Sequence, residues 1–179
     1  MSIHLARHGQ TAYNHEGRFQ GHLPVPLDAT GREQAAALAE VAAGVQITSL
    51  WCSPLLRARE TAEVVAARIG LEPTEDARFA ETDTGDWTDR SFADVRAEDP
   101  DGFARFQRSD PSFRYPGGES FAEQSARVQA GLAALRAHPT ALPALVVCHR
   151  GVIRLALAVA LADETAGGRE IANASLVTL

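Results

Sequence analysis

Apolar positions along the chain follow two patterns. Short unbroken apolar runs at Ile3 to Ala6, Ile47 to Cys52 and Leu145 to Cys148 predict buried strands, and Ala174 to Leu179 predicts a last one. Between them the apolar residues take helical spacing. Thr30-x-x-Glu33 reads as a capping box opening a helix whose apolar face is Ala36, Leu38, Val41 and Ala42 and which stops at Gly44. Ser53-Pro54 predicts a second start, with Ser53 as the N-cap and Pro54 at the first helical position. That helix runs to about Ile69, and Gly70 suits a left-handed cap. Ser120-x-x-Glu123 opens a third helix with Val128, Leu132 and Leu135 on one face, and Val152 to Leu161 forms a fourth.

Strands alternating with helices predict an α/β fold, a three-layer α/β/α sandwich on a mostly parallel sheet. The stretch from Phe19 to Asp28 reads as loop. Residues 1–179 are expected to form a single domain with a lid-like irregular insertion around 80–118, holding short helices near Phe92 to Ala97 and Gly102 to Arg108. An insertion of that length is usually functional. Ligands of such folds sit beyond the carboxyl ends of the strands. Three strands end in polar clusters: Arg7-His8-Gly9, Ser53 with Arg57 a turn later, and His149-Arg150-Gly151. If these strands are parallel neighbours, the clusters meet.

Composition narrows the function. With 179 residues, 45% hydrophobic and 22% charged, the chain is of the ordinary soluble globular class. A net charge of −6 argues against a nucleic-acid partner. All 17 basic residues are arginine. The absence of lysine excludes a Walker-type phosphate loop and Schiff-base chemistry. Cys52 and Cys148 each end an apolar run and read as buried free thiols, too few for a zinc site. The start Met1-Ser2-Ile3-His4 shows no signal pattern, and no apolar run approaches the roughly 18 residues a membrane span needs. The expectation is a cytoplasmic protein with no membrane or nucleic-acid partner, no metal and no cofactor; monomer and homodimer are both compatible.

The meeting place of the strand ends would hold His8, His149, Arg7 and Arg57 beside glycine-rich loop amides. Guanidinium forks bind phosphoryl oxygens bidentately and keep their charge, while imidazole serves as nucleophile, acid or base near neutral pH. Cations and imidazole without a thiol nucleophile suit phosphoryl transfer through a phosphohistidine. The departing oxygen also needs a proton, for which Glu81, Asp83 and Asp86 compete.

These residues lie in blocks that resemble the histidine phosphatase superfamily, the phosphoglycerate-mutase-like group. The first block is Arg7, His8, Gly9, Thr11 and Asn14, continued by Phe19-Gln20-Gly21, Pro26-Leu27-Asp28 and Thr30-Gly31. Ser53, Arg57, Ala58, Thr61 and Ala62 form the second, and Glu81, Gly85 and Trp87 the acid block. Pro116-Gly117-Gly118-Glu119-Ser120 with Arg127, then His149, Gly151 and Arg154, complete six blocks in register over nearly the whole chain. The resemblance implies a phosphoglycerate-mutase-like fold with His8 as nucleophile. Arg7, Asn14, Arg57 and His149 would hold the phosphoryl group with help from the backbone near Arg150, Gln20 and Gly21 would join the substrate contacts, and Glu81 would be the acid and base. The chain departs from the family pattern at Gln10, where Glu is frequent, at Thr88-Asp89 after Trp87, and at Arg150, where Gly or Asn is frequent.

The resemblance implies a phosphatase acting on a small phosphorylated metabolite, similar to α-ribazole phosphatases or to broad-specificity members. A mutase and a non-catalytic phosphate-binding module are the alternatives. Mutases of the family carry a longer insertion, whereas only 30 residues separate Trp87 from Gly118 here.

Overall fold

The computed structural model describes residues 2–161 and 170–179. A five-stranded sheet runs through it in the order β3-β2-β4-β1-β5, where β1 is Ile3–Arg7, β2 Ser49–Cys52, β3 Pro73–Glu75, β4 Ala144–Cys148 and β5 Leu176–Thr178. The first four strands are mutually parallel, and β5 closes one edge antiparallel to β1. The helices are α1 (Ala12–Glu16), α2 (Ala29–Ala43), α3 (Leu56–Ile69), α4 (Phe92–Glu98), α5 (Pro100–Gln107), α6 (Phe121–Arg136) and α7 (Arg150–Leu161). The expected α/β class and mostly parallel sheet are what the chain adopts.

Central strand β4 shows why three layers form. Its side chains alternate between the two faces of the sheet, as the period of a strand requires. Ala144, Val146 and Cys148 pack with α6 and α7, while Leu145 and Val147 pack with α2 and α3. All five residues are fully buried, so each strand side chain contributes burial to a separate core. A third cluster, built on Phe19, Trp87, Phe103, Phe113 and Tyr115, sits under α4 and α5. The insertion is thus anchored by its own aromatic core. Both free thiols lie inside, and burial raises Cys52 to about 11 and Cys148 further still. No helix among the described residues is long and apolar enough to cross a membrane.

Several local expectations are corrected. The N-cap of α2 is Asp28, not Thr30: Asp28 Oδ1 accepts from the Gly31 amide at 2.7 Å, while its Oδ2 accepts from Gln10. Docking against the loop after β1 therefore selects the cap. At Gly31 an added Cβ would lie 2.0 Å from the Gln10 carbonyl oxygen, so this backbone approach requires glycine. The buried stripe of α2 is Ala35, Leu38, Ala39 and Ala42, whereas Ala36 is exposed and Val41 is 53% exposed. The small alanines are the side that packs on α3.

Helix α3 begins at Leu56 with Leu55 at the cap position and no side-chain capping bond. Ser53 is engaged elsewhere, as described below. The cap at Gly70 is left-handed with φ of 71°, as expected. Strand β3 was not foreseen. Its Pro and Glu disfavour a strand, and it is tolerated because it lies at the sheet edge. The capping box of α6 and its Val128, Leu132 and Leu135 face form as expected.

Candidate active site

Parallel pairing brings the three polar strand ends together. Arg7 is in register with Cys148, and Cys52 with Val147, so His8, Ser53 and His149 leave the same edge of the sheet side by side. A cavity of about 790 Å³ opens there. Arg7, His8, Asn14, Gln20, Gly21, Arg57, Glu81 and Arg150 all line it. His149 lies just behind, fully buried, with its ring centroid 5.2 Å from that of His8.

The His8 ring is only 3% exposed, and its Nδ1 lies 2.7 Å from the Gly9 carbonyl oxygen. A carbonyl only accepts, so Nδ1 carries the hydrogen and Nε2 carries the lone pair. Burial holds the His8 pKa well below the ordinary histidine value, and the charges of Arg57 and Arg7 push in the same direction. The ring is therefore neutral at pH 7, with a nucleophilic nitrogen. His149 is likewise held neutral by burial first and by Arg57 next. Its Nε2 contacts the Ser53 hydroxyl at 2.8 Å.

Arg57 is 1% exposed and donates to the carbonyls of Gly21 at 3.0 Å and Leu23 at 3.4 Å. Arg7 donates to the Ile171 carbonyl at 2.6 Å. Burial brings both guanidinium groups down to about 10; Arg150 adds to the effect on Arg7, and Glu81 opposes it on both. Both remain charged at neutral pH. Uncompensated burial of such a charge costs several kcal/mol, and neutral carbonyls offset only part of that. Arg7 Nε, Arg57 Nε and His149 Nδ1 are buried without a hydrogen-bond partner among the described residues. Arg7 and Arg57 line the cavity and supply fixed positive charge, which suits a small polyanion.

Glycine at position 21 is set by this clamp. Its φ is +47°, its carbonyl holds Arg57, and a Cβ there would lie 2.5 Å from Thr84 Oγ1. Asn14 occupies the third position of α1 in a capping box with Thr11. Its Oδ1 accepts from Thr11 and from Asn173, which leaves the amide hydrogens for the cavity. Gln20 accepts from the Thr11 hydroxyl through Oε1 at 2.9 Å.

Among the three competing carboxylates, Glu81 is the one on the cavity wall; Asp83 and Asp86 are exposed and point elsewhere. Glu81 Oε1 accepts from the Thr82 amide at 3.0 Å and from Gln124 Nε2 at 3.1 Å, and Oε2 accepts from the Gly151 amide at 3.4 Å. A Cβ at residue 151 would lie 2.5 Å from Glu81 Oε1, which explains the glycine after His149-Arg150. Arg127 donates to the Glu81 carbonyl while paired with Glu119.

Sequence reading missed three supporting residues, Gln124, Thr82 and Asn173, and gave a fourth, Ser53, the role of a helix cap. Gln124 is fully buried on α6, and its only signal was an amide on the apolar stripe of that helix. Thr82 donates to Gln124, Asn173 donates to the His8 carbonyl, and Ser53 serves His149 rather than a helix cap. Of the aromatic residues in the insertion, Phe92, Phe106 and Tyr115 line the cavity, while Phe103 and Phe113 belong to the core.

The family model described as Histidine phosphatase superfamily (branch 1) matches residues 3–179. A protein named "Probable phosphoglycerate mutase GpmB" from Salmonella choleraesuis is 37% identical over 150 residues, covering 83% of this chain and 69% of that one. Among solved structures, a mycobacterial glucosyl-3-phosphoglycerate phosphatase complexed with VO3 is 33% identical with a TM-score of 0.89, covering 99% of this chain and 90% of that chain. The α-ribazole phosphatase of Shigella flexneri is 29% identical with a TM-score of 0.87, covering 99% of this chain and 89% of that chain.

Proposed function

This chain belongs to the histidine phosphatase superfamily, and from that premise we propose that it hydrolyses phosphomonoesters of small metabolites through a phosphohistidine on His8. The observation that carries this reading is the neutral His8 ring with Nδ1 tied to the Gly9 carbonyl, in a cavity lined by Arg7 and Arg57. Phosphatase names among the similar structures support it.

Arg7, Arg57 and the Asn14 amide bind the phosphoryl oxygens. Ser53 takes the Leu55 amide hydrogen on its oxygen at 3.2 Å and gives its own to His149 Nε2. His149 then carries its hydrogen on Nδ1 and donates it to a phosphoryl oxygen. His8 Nε2 attacks phosphorus in line, the bond to the leaving oxygen breaks, and protonated Glu81 supplies that oxygen with a proton. Water then gives a proton to the Glu81 carboxylate and attacks phosphorus; the phosphorus–nitrogen bond breaks and orthophosphate leaves. Fixed cations stabilise the charge of both transition states, and these residues need no metal for it.

The insertion around 80–118 is the lid of a single domain, and it contributes Phe92, Phe106 and Tyr115 to the wall facing the leaving group. The cytoplasm is the proposed setting. The test is His8→Ala: it abolishes release of phosphate from an aryl phosphate and leaves the circular dichroism spectrum unchanged. Full activity in that variant would overturn the reading. A mutase is the second reading, favoured by the 37% identity to the Salmonella protein. Comparing phosphate release with isomerisation of a phosphoglycerate separates the two, and the short insertion, which admits water, favours release.

A further inference from the structure

Two side chains converge on one backbone oxygen beside the proton donor. His22 Nε2 lies 2.8 Å from the carbonyl oxygen of Glu81. A carbonyl only accepts, so this nitrogen carries a hydrogen. Arg127 donates to the same oxygen at 3.1 Å, and the two donors take up both of its lone pairs. At the other end of that peptide group the Thr82 N–H donates to Glu81 Oε1 at 3.0 Å. The peptide after Glu81 is therefore held at its oxygen by two side chains and gives its hydrogen back to the Glu81 carboxyl group. Hydrogen bonds in such a chain polarise and strengthen one another.

That returning bond bears on where the proton of the acid sits. Oε1 accepts from the Thr82 amide and from Gln124 Nε2. A carboxyl group has one hydrogen, and an oxygen already taking two donors is the poorer place for it. The proton is left to Oε2, which meets the Gly151 amide at a longer 3.4 Å.

His22 reaches the Glu81 peptide from the loop that builds the phosphoryl clamp. The carbonyls of its two chain neighbours, Gly21 and Leu23, take hydrogens from Arg57. The His22 ring is exposed and stands outside the cavity lining, so its contact is with the peptide. Resting on the phosphatase reading of this site, we infer that His22 is a positioning residue for the general acid. By donating to the Glu81 carbonyl it fixes the peptide whose N–H occupies Glu81 Oε1, and so directs the proton to Oε2.

Phenyl phosphate and p-nitrophenyl phosphate differ only in the nitro group, which makes the departing oxygen less basic and less in need of a proton. Glutamine places an amide nitrogen where His22 Nε2 stands, whereas phenylalanine keeps a ring and has no donor. His22→Phe is expected to lower kcat on phenyl phosphate about fivefold, the worth of one hydrogen bond. The loss on p-nitrophenyl phosphate is smaller, KM for both is unchanged, and His22→Gln restores the rate. In Glu81→Gln protein His22→Phe brings no further loss, as a residue acting only through Glu81 requires. Exchange of the Thr82 amide hydrogen, followed by NMR without substrate, is faster in His22→Phe and returns towards the wild-type rate in His22→Gln. Equal losses on the two esters, or the same loss in Glu81→Gln protein, would overturn the inference and make His22 a support of the Arg57 loop. Unchanged rates and unchanged exchange would overturn it as well. Failure of the phosphatase reading has a different signature: wild-type protein releases no phosphate from either ester, while Thr82 exchange still decides what His22 holds.

Discussion

The Nε2 atom of His149 lies 2.8 Å from the hydroxyl of Ser53, and this contact ties the carboxyl ends of two neighbouring strands, β4 and β2. The hydroxyl decides which nitrogen of a fully buried imidazole carries the hydrogen, and so whether the other nitrogen can donate into the cavity. Ser53→Ala removes that control. It is expected to cost about 1–3 kcal/mol of transition-state stabilisation, the penalty for leaving a buried polar group unpaired, and to weaken inhibition by inorganic phosphate in parallel. Steady-state kinetics with phosphate as inhibitor checks both. An unchanged inhibition constant would show that His149 does not need Ser53 to hold the phosphoryl group.

Glu81 makes its contribution where the leaving group is poor. Glu81→Gln is expected to slow hydrolysis of an alkyl phosphate by about 10²–10⁴-fold, the usual weight of a positioned general acid. p-Nitrophenyl phosphate, whose leaving group needs little protonation, is expected to suffer less. Because Gln124 holds Glu81 Oε1 at 3.1 Å, Gln124→Leu is expected to shift the same ratio in the same direction by a smaller factor. Rates on the two esters measured side by side check this, and equal losses on both would remove Glu81 from the role of acid.

Acid should destabilise this protein through buried imidazoles, His8 and His149 above all, with His4 lowered by burial as well. His8 and His149 have pKa values held well below the ordinary 6.5 by burial. Below about pH 6.5 the unfolded chain takes up protons that the folded one refuses, so stability falls as pH falls from there towards the folded values. Each group contributes a slope of up to about 1.4 kcal/mol per pH unit. Urea midpoints from pH 7.5 to pH 5 check the effect, and His149→Gln is expected to flatten the dependence.

The loop after β1 depends on backbone contact with α2. Gly31→Ala places a Cβ 2.0 Å from the Gln10 carbonyl oxygen, an atom that no side-chain rotation can move away. A loss of about 1–3 kcal/mol is expected, as for other overpacked sites. Thermal unfolding measures it, and a variant as stable as the parent would mean that the loop has room to shift.

Ser53 and Glu81 mark two limits of sequence reading. Ser53-Pro54 carries a strong local capping signal, and it was read as one. In the folded chain the hydroxyl pairs with a residue 96 positions away, and local preference loses because a buried imidazole without a partner costs more than a missing cap. Glu81 stood among three carboxylates in an irregular segment, with no periodicity to separate them. Gln124 and the Gly151 amide, brought by α6 and α7, select it.

The sequence by itself determined the alternation of strands and helices, the polar residues that end the strands, and the blocks that mark the family, because periodicity, capping chemistry and motif spacing are local properties. It determined that His8, Arg7, Arg57 and His149 belong together. Only the tertiary structure decided how they are held: which nitrogen of His8 is tied to a carbonyl and which carboxylate stands on the cavity wall. Those depend on burial and on hydrogen bonds between distant segments such as Ser53 with His149, Gln124 with Glu81 and Asn173 with His8, and such pairings have no local signature.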